Sequence, residues 1–110
     1  MKNEIVSINK ELGGTLVNPS SLDFAVEMAG KQKNVYRKNA YLIRAIVVDH
    51  PFSDMNKSTA TIIAMRNFKK EGIVCNEESF LRGIRKIAKE NITDLNKIER
   101  GLRRWCQKKK

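Results

Sequence analysis

The sequence predicts an all-α fold, a compact bundle of about five to six helices. Apolar residues recur at helical spacing through nearly the whole chain, and glycine, proline or a capping side chain bounds each patterned segment. The connections are short, as in helices packed against their sequence neighbours. Ile73-Val74-Cys75 has an extended composition, and one short segment does not make a sheet.

Each element follows from its own signals. Residues 4 to 12 place Ile5, Ile8 and Leu12 on one side of a helix, and Gly13-Gly14 stops it. Thr15 to Pro19 reads as a loop. Ser20 or Ser21 is expected to cap a second helix with Leu22, Ala25, Val26 and Ala29 as its apolar stripe, ending at Gly30. A third helix runs from Tyr36 through Ala40, Ile43, Ile46 and Val47. Pro51 halts it, because the residue before a proline is pushed out of the right-handed region. A fourth begins near Asn56 and carries Ala60, Ile63, Ala64 and Phe68 to Gly72. Asn76 caps a fifth, with Phe80, Leu81, Ile84, Ile87 and Ala88, and Thr93 is expected to cap a sixth, with Leu95, Ile98, Leu102 and Trp105. The expectation is one domain over residues 1 to 107 and a frayed basic tail at 108 to 110.

Composition narrows the partners. Lys and Arg number 22 against 12 Asp and Glu, a net charge of +10. Such an excess favours an anionic partner or, more plainly, a basic solvated surface. Cys75 and Cys106 lack metal-ligand spacing, and His50 is the only histidine, so a four-ligand zinc site has too few donors. Both cysteines are expected to be free thiols, Cys75 in the core. No apolar run reaches the ~18 residues of a membrane span, and the first residues lack the apolar stretch of a signal peptide. These readings predict a cytoplasmic protein with no membrane partner.

The segment His50-Pro51-Phe52-Ser53-Asp54-Met55-Asn56-Lys57 lies between the two most apolar helices. The helix beginning near Asn56 directs its free N–H groups and positive dipole end into this loop, which suits phosphate. His50 is the residue here able to take up a proton near neutral pH. Asp54 is a hard oxygen ligand suited to Mg²⁺, which takes one or two carboxylates together with phosphate oxygens. Asn56 is able to donate to a phosphate or cap the helix, Lys57 to reach a phosphate as a point charge, and Phe52 to plug inward. Taken singly, His50 reads as a solvated residue at a helix C-terminus and Asp54 as a helix N-cap.

Taken together, His50, Phe52, Asp54, Asn56 and Lys57 stand at the spacing of the Fic/Doc motif, a match expected by chance in roughly one chain of this length in several thousand. The chain resembles Doc-type (death-on-curing) members in its size, in Gly13-Gly14 after a first helix, in Pro51 and in Thr59-Ala60. Lys57 stands where Fic-type members, which transfer AMP, carry glycine. The resemblance implies a toxin of a toxin–antitoxin pair, a kinase that moves the terminal phosphate of ATP to a hydroxyl of a translation elongation factor. By position, His50 is then the catalytic base, Asp54 the Mg²⁺ ligand, Asn56, Lys57 and Ser58 the phosphate contacts, and Phe52 structural. It also implies ATP and Mg²⁺ as cofactors and an acidic antitoxin as partner. No helix-turn-helix or zinc pattern points to sequence-specific DNA binding.

Two positions depart from the family pattern. Met55 replaces a small residue, and Ser58 replaces an arginine that grips phosphate. Loss of such a charge-assisted contact amounts to ~1.5–3 kcal/mol. Arg66, Arg44 and Lys38 are the cations from which the sequence offers a substitute. The alternatives are AMP transfer, or a catalytically weak or silent module of the same fold. The latter would hold an anionic protein or RNA through Arg82, Arg85, Lys86, Lys89, Arg100, Arg103 and Arg104. Ser7 and Glu11 echo the spacing of a self-inhibitory helix, but Leu12 follows where such helices carry Gly or Asn.

Overall fold

Helix α3 (Val35–Asp49) is the axis around which the rest is arranged. Its Ala40, Tyr41, Leu42 and Ile43 are buried in succession, so all sides of the helix are covered and not a single stripe. The cover comes from α2 (Pro19–Gly30), α4 (Asn56–Lys70), α5 (Glu77–Glu90) and α6 (Leu95–Trp105), while α1 (Lys2–Glu11) packs on α4. These six helices make an all-α bundle in a computed structural model that describes residues 1–109. The core joins Ile5 of α1, Leu22 of α2, Ile63 and Phe68 of α4, Phe80 and Ile84 of α5, and Ile98 and Leu102 of α6. No helix among the described residues is long and apolar enough to cross a membrane.

Local chemistry moves two helix starts from their expected places. Pro19 occupies the opening turn of α2, where its missing N–H costs nothing, so Ser20 and Ser21 lie inside the helix and cap nothing. At α6 the cap is Asp94, not Thr93, and its carboxylate accepts from the N–H groups of Asn96 (2.9 Å) and Lys97 (3.3 Å). Asn34 and Asn76 cap α3 and α5 in the same manner, each side chain accepting a backbone N–H.

The C-terminal end departs most from expectation. Residues Ile73–Cys75 form a strand, β1, that pairs antiparallel with β2 (Cys106–Lys108), setting Ile73 opposite Lys108 and Cys75 opposite Cys106. The two cysteines are joined in a disulfide, so neither is a free thiol, and the thiol-based ground for a reducing compartment falls away. Cys106 is fully buried and Cys75 only partly so. Lys108 therefore belongs to a strand and not to a frayed tail, and the N–H of Lys109 donates to Gly72 O at 3.0 Å. Lys110 lies outside the described residues. Strand partners 31 or more residues apart leave no periodic signature in either segment.

Buried amides hold the helices around the central loop. Asn39 of α3 donates to Ala64 O of α4 at 3.0 Å and accepts from Asn67 Nδ2 at 2.9 Å, so the helices flanking residues 50 to 55 cannot slide past each other without orphaning polar groups.

Candidate functional site

The segment between α3 and α4 begins and ends on a left-handed residue. His50 closes α3 at φ 51°, and Met55 opens α4 at φ 62°. For a residue with a side chain this conformation costs roughly 1–2 kcal/mol. At His50, Pro51 excludes the right-handed region, which ends α3, but it leaves the extended region open and does not itself impose the left-handed one. At Met55 nothing local demands it, and the surrounding contacts must hold it there.

Three sets of contacts do so. Phe52 is buried, and its backbone exchanges two hydrogen bonds with the Asn56 carboxamide: Phe52 N–H to Oδ1 at 3.2 Å and Nδ2–H to Phe52 O at 3.0 Å. The strand-like stretch 15 to 18 lies alongside. Leu16 bridges Phe52, the N–H groups of Val17 and Asn18 both donate to Pro51 O (2.8 and 2.9 Å), and Ser53 N–H donates to Thr15 O (2.8 Å). From below, the fully buried Asn9 of α1 donates to Asp54 O (2.8 Å) and to Thr59 Oγ1 (3.1 Å), while Thr59 Oγ1 donates to Met55 O (2.7 Å). Gly14 lets this layer close, because a Cβ there would lie 2.8 Å from Asp54 O and against the Asn9 side chain.

On this frame the polar side chains face outward. His50 is exposed and makes no side-chain hydrogen bond among the described residues. Asp54 is exposed, one carboxylate oxygen taking the N–H of Met55 at 2.7 Å. The first intrahelical bond of α4 at this end is Thr59 N–H to Met55 O, so the N–H groups of Asn56, Lys57 and Ser58 precede the ladder, and no side chain caps them. Lys57 and Ser58 are both exposed and open onto one cavity of about 470 Å³ between α4 and α5. His50 and Asp54 do not line that cavity.

No family model, curated protein or solved structure matches this chain.

The arrangement combines uncapped helix N–H groups, an exposed imidazole, an exposed carboxylate and a cationic side chain around a rigid loop. It is suited to holding an anion at the start of α4. Among the described residues no three His, Cys, Asp or Glu side chains converge, so Asp54 belongs to no ready-made metal cluster. That donor set fits a Mg²⁺ that arrives on nucleotide phosphates and needs one carboxylate from the protein. The Asn56 carboxamide engages Phe52 in both directions, using one of its two N–H hydrogens, and its backbone N–H precedes the helix ladder.

Arg44, Arg66 and Lys38, the cations considered as substitutes for the missing arginine, do not line the cavity that Ser58 borders and are placed elsewhere. Arg44 donates to Thr93 O and stacks over Tyr41 at 5.4 Å, Arg66 pairs with Glu4, and Lys38 lines a recess with Asn67 and Lys70 at the far end of α4. Sequence reasoning missed Asn9, Gly14 and the stretch 15 to 18 as the supports of the loop. The only local signals were an asparagine on a buried helix face and a glycine pair already assigned to ending α1.

Proposed function

We propose that this protein is a Doc-type phosphotransferase of the Fic/Doc family, moving the terminal phosphate of ATP to a hydroxyl on a target protein. The observation that carries the reading is the start of α4. The His50…Asp54…Asn56-Lys57 run leads directly into a helix N-terminus that no side chain caps, behind a left-handed Met55 held by the fold.

In this reading the uncapped N–H groups of Asn56, Lys57 and Ser58 hold phosphate oxygens, and Lys57 adds a charge. Asp54 holds the Mg²⁺ that accompanies the nucleotide, which offsets phosphate charge when bound. His50 takes the proton of the target hydroxyl as its oxygen attacks the terminal phosphorus. The bond from that phosphorus to the bridging oxygen breaks, and ADP leaves. By resemblance the target is a translation elongation factor and the regulator an acidic antitoxin. The cytoplasm is proposed because ATP and such a target are found there.

The test is label transfer. Incubation with Mg²⁺, a cell lysate and γ-labelled ATP should label one protein, and His50→Ala should abolish that label. Label from α-labelled ATP would instead identify AMP transfer.

A second reading is a silent binding module. It is favoured by a recess between α5 and α6 where Arg82, Lys86, Lys97 and Arg104 surround Ile87, Ile98 and the Trp105 ring. No carboxylate lines that recess, so it suits an anionic protein or RNA. Absence of label from either ATP, with partner binding unchanged by His50→Ala, would select this reading.

A further inference from the structure

We propose that the cavity between α4 and α5 seats the body of the nucleoside triphosphate, with Arg85 as its second phosphate-binding cation. The proposal rests on the phosphotransfer reading and adds to it a residue 28 positions beyond Lys57, outside the loop.

Lys57 from the first turn of α4 and Arg85 from α5 line the same cavity. Both are exposed, and neither makes an ion pair among the described residues. Two cations around one recess with no carboxylate in its lining repel each other, and an anion between them removes that repulsion. The Ser58 hydroxyl on the same wall adds a donor. Apart from Thr61, whose hydroxyl donates to Lys57 O at 2.9 Å, the other walls are aliphatic, with Leu12 from the end of α1, Ile62 of α4 and Leu81 and Ile84 of α5. A ligand that fits has a multiply charged end and a flat apolar end, as a nucleoside triphosphate does. The volume of about 470 Å³ suits a molecule of that size.

The amphipathic pattern of α5 explains why the cation comes from there. Ile84 and Ile87 are buried in the core, which leaves Arg85 at the cavity's rim beside the wall that Ile84 forms. Position 58 carries no charge of its own, so α5 supplies one across the gap.

The test is calorimetric binding of Mg·ATP to the full chain, run beside the γ-label assay. Arg85→Ala should weaken binding ~10- to 100-fold, Arg85→Lys should lie between it and the wild type, and Ser58→Arg should restore most of the loss in the Arg85→Ala background. Lys31→Ala, at the exposed end of α2, should change nothing. Circular dichroism verifies that each variant is folded. If the wild type binds Mg·ATP and Arg85→Ala binds within about twofold of it, the role of Arg85 is overturned while phosphotransfer stands. If Arg85 controls binding but no γ-label is transferred, the nucleotide seat stands and the phosphotransfer reading fails. If the wild type does not bind Mg·ATP, both fall.

Discussion

The carboxamide of Asn56 and the backbone of Phe52 exchange two hydrogen bonds, so the side chain acts as a strand neighbour to the middle of the loop. This pair connects the buried Phe52 ring to the first residue of α4 and so braces the loop from within. Rigid support of this kind lets a short loop hold charged groups in a fixed pose.

Asn56→Ala should therefore cost stability as well as function. Two partly buried backbone groups of Phe52 lose their partners, a loss of about 1–3 kcal/mol. Asn56→Asp should be no better, because it turns a carboxylate toward the Phe52 carbonyl. Urea midpoints measure the first effect. Faster hydrogen exchange at the Phe52 amide locates it in the loop, and unchanged exchange there would show that the pair does not hold the loop.

Met55 should respond to substitution opposite to an ordinary helix-end residue. At φ 62° a β-branched side chain is more strained than methionine, so Met55→Val should lower stability by about 1 kcal/mol. Met55→Gly removes the clash and should leave stability unchanged or raised, although glycine adds freedom to the unfolded chain. Thermal melts of the pair decide it: a Met55→Gly variant less stable than Met55→Val would mean that the left-handed turn is not what the position requires.

The disulfide should make stability depend on reductant. It closes a loop across a sequence separation of 31, for which chain-entropy estimates give about 3–4 kcal/mol. In a domain of this size that corresponds to a melting point lower by roughly 10–20 °C after reduction. Melts with and without reductant measure it, and the double variant Cys75→Ala/Cys106→Ala should melt like the reduced protein and show no reductant effect. Equal melting of oxidised and reduced protein would mean that the paired strands hold without the bond.

The helices were readable because each buries a face whose spacing is written locally. Ile43, Ile46 and Val47 in α3, or Phe80, Ile84 and Ile87 in α5, announce a buried side, each within four residues of the next. The order of chemical groups in the loop was readable for the same reason: His50, Asp54 and Lys57 are close in sequence and need no distant partner to be noticed. Tertiary structure alone decided what supports them. Asn9 reaches Asp54 over 45 positions and Thr15 meets Ser53 over 38, contacts that leave no trace in local periodicity. The pairing of β1 with β2 and the Cys75–Cys106 bond are of the same kind. So is the meeting of Arg85 with Lys57 at one cavity, because a sequence records which charges a chain carries, and only packing brings charges from two helices to one place.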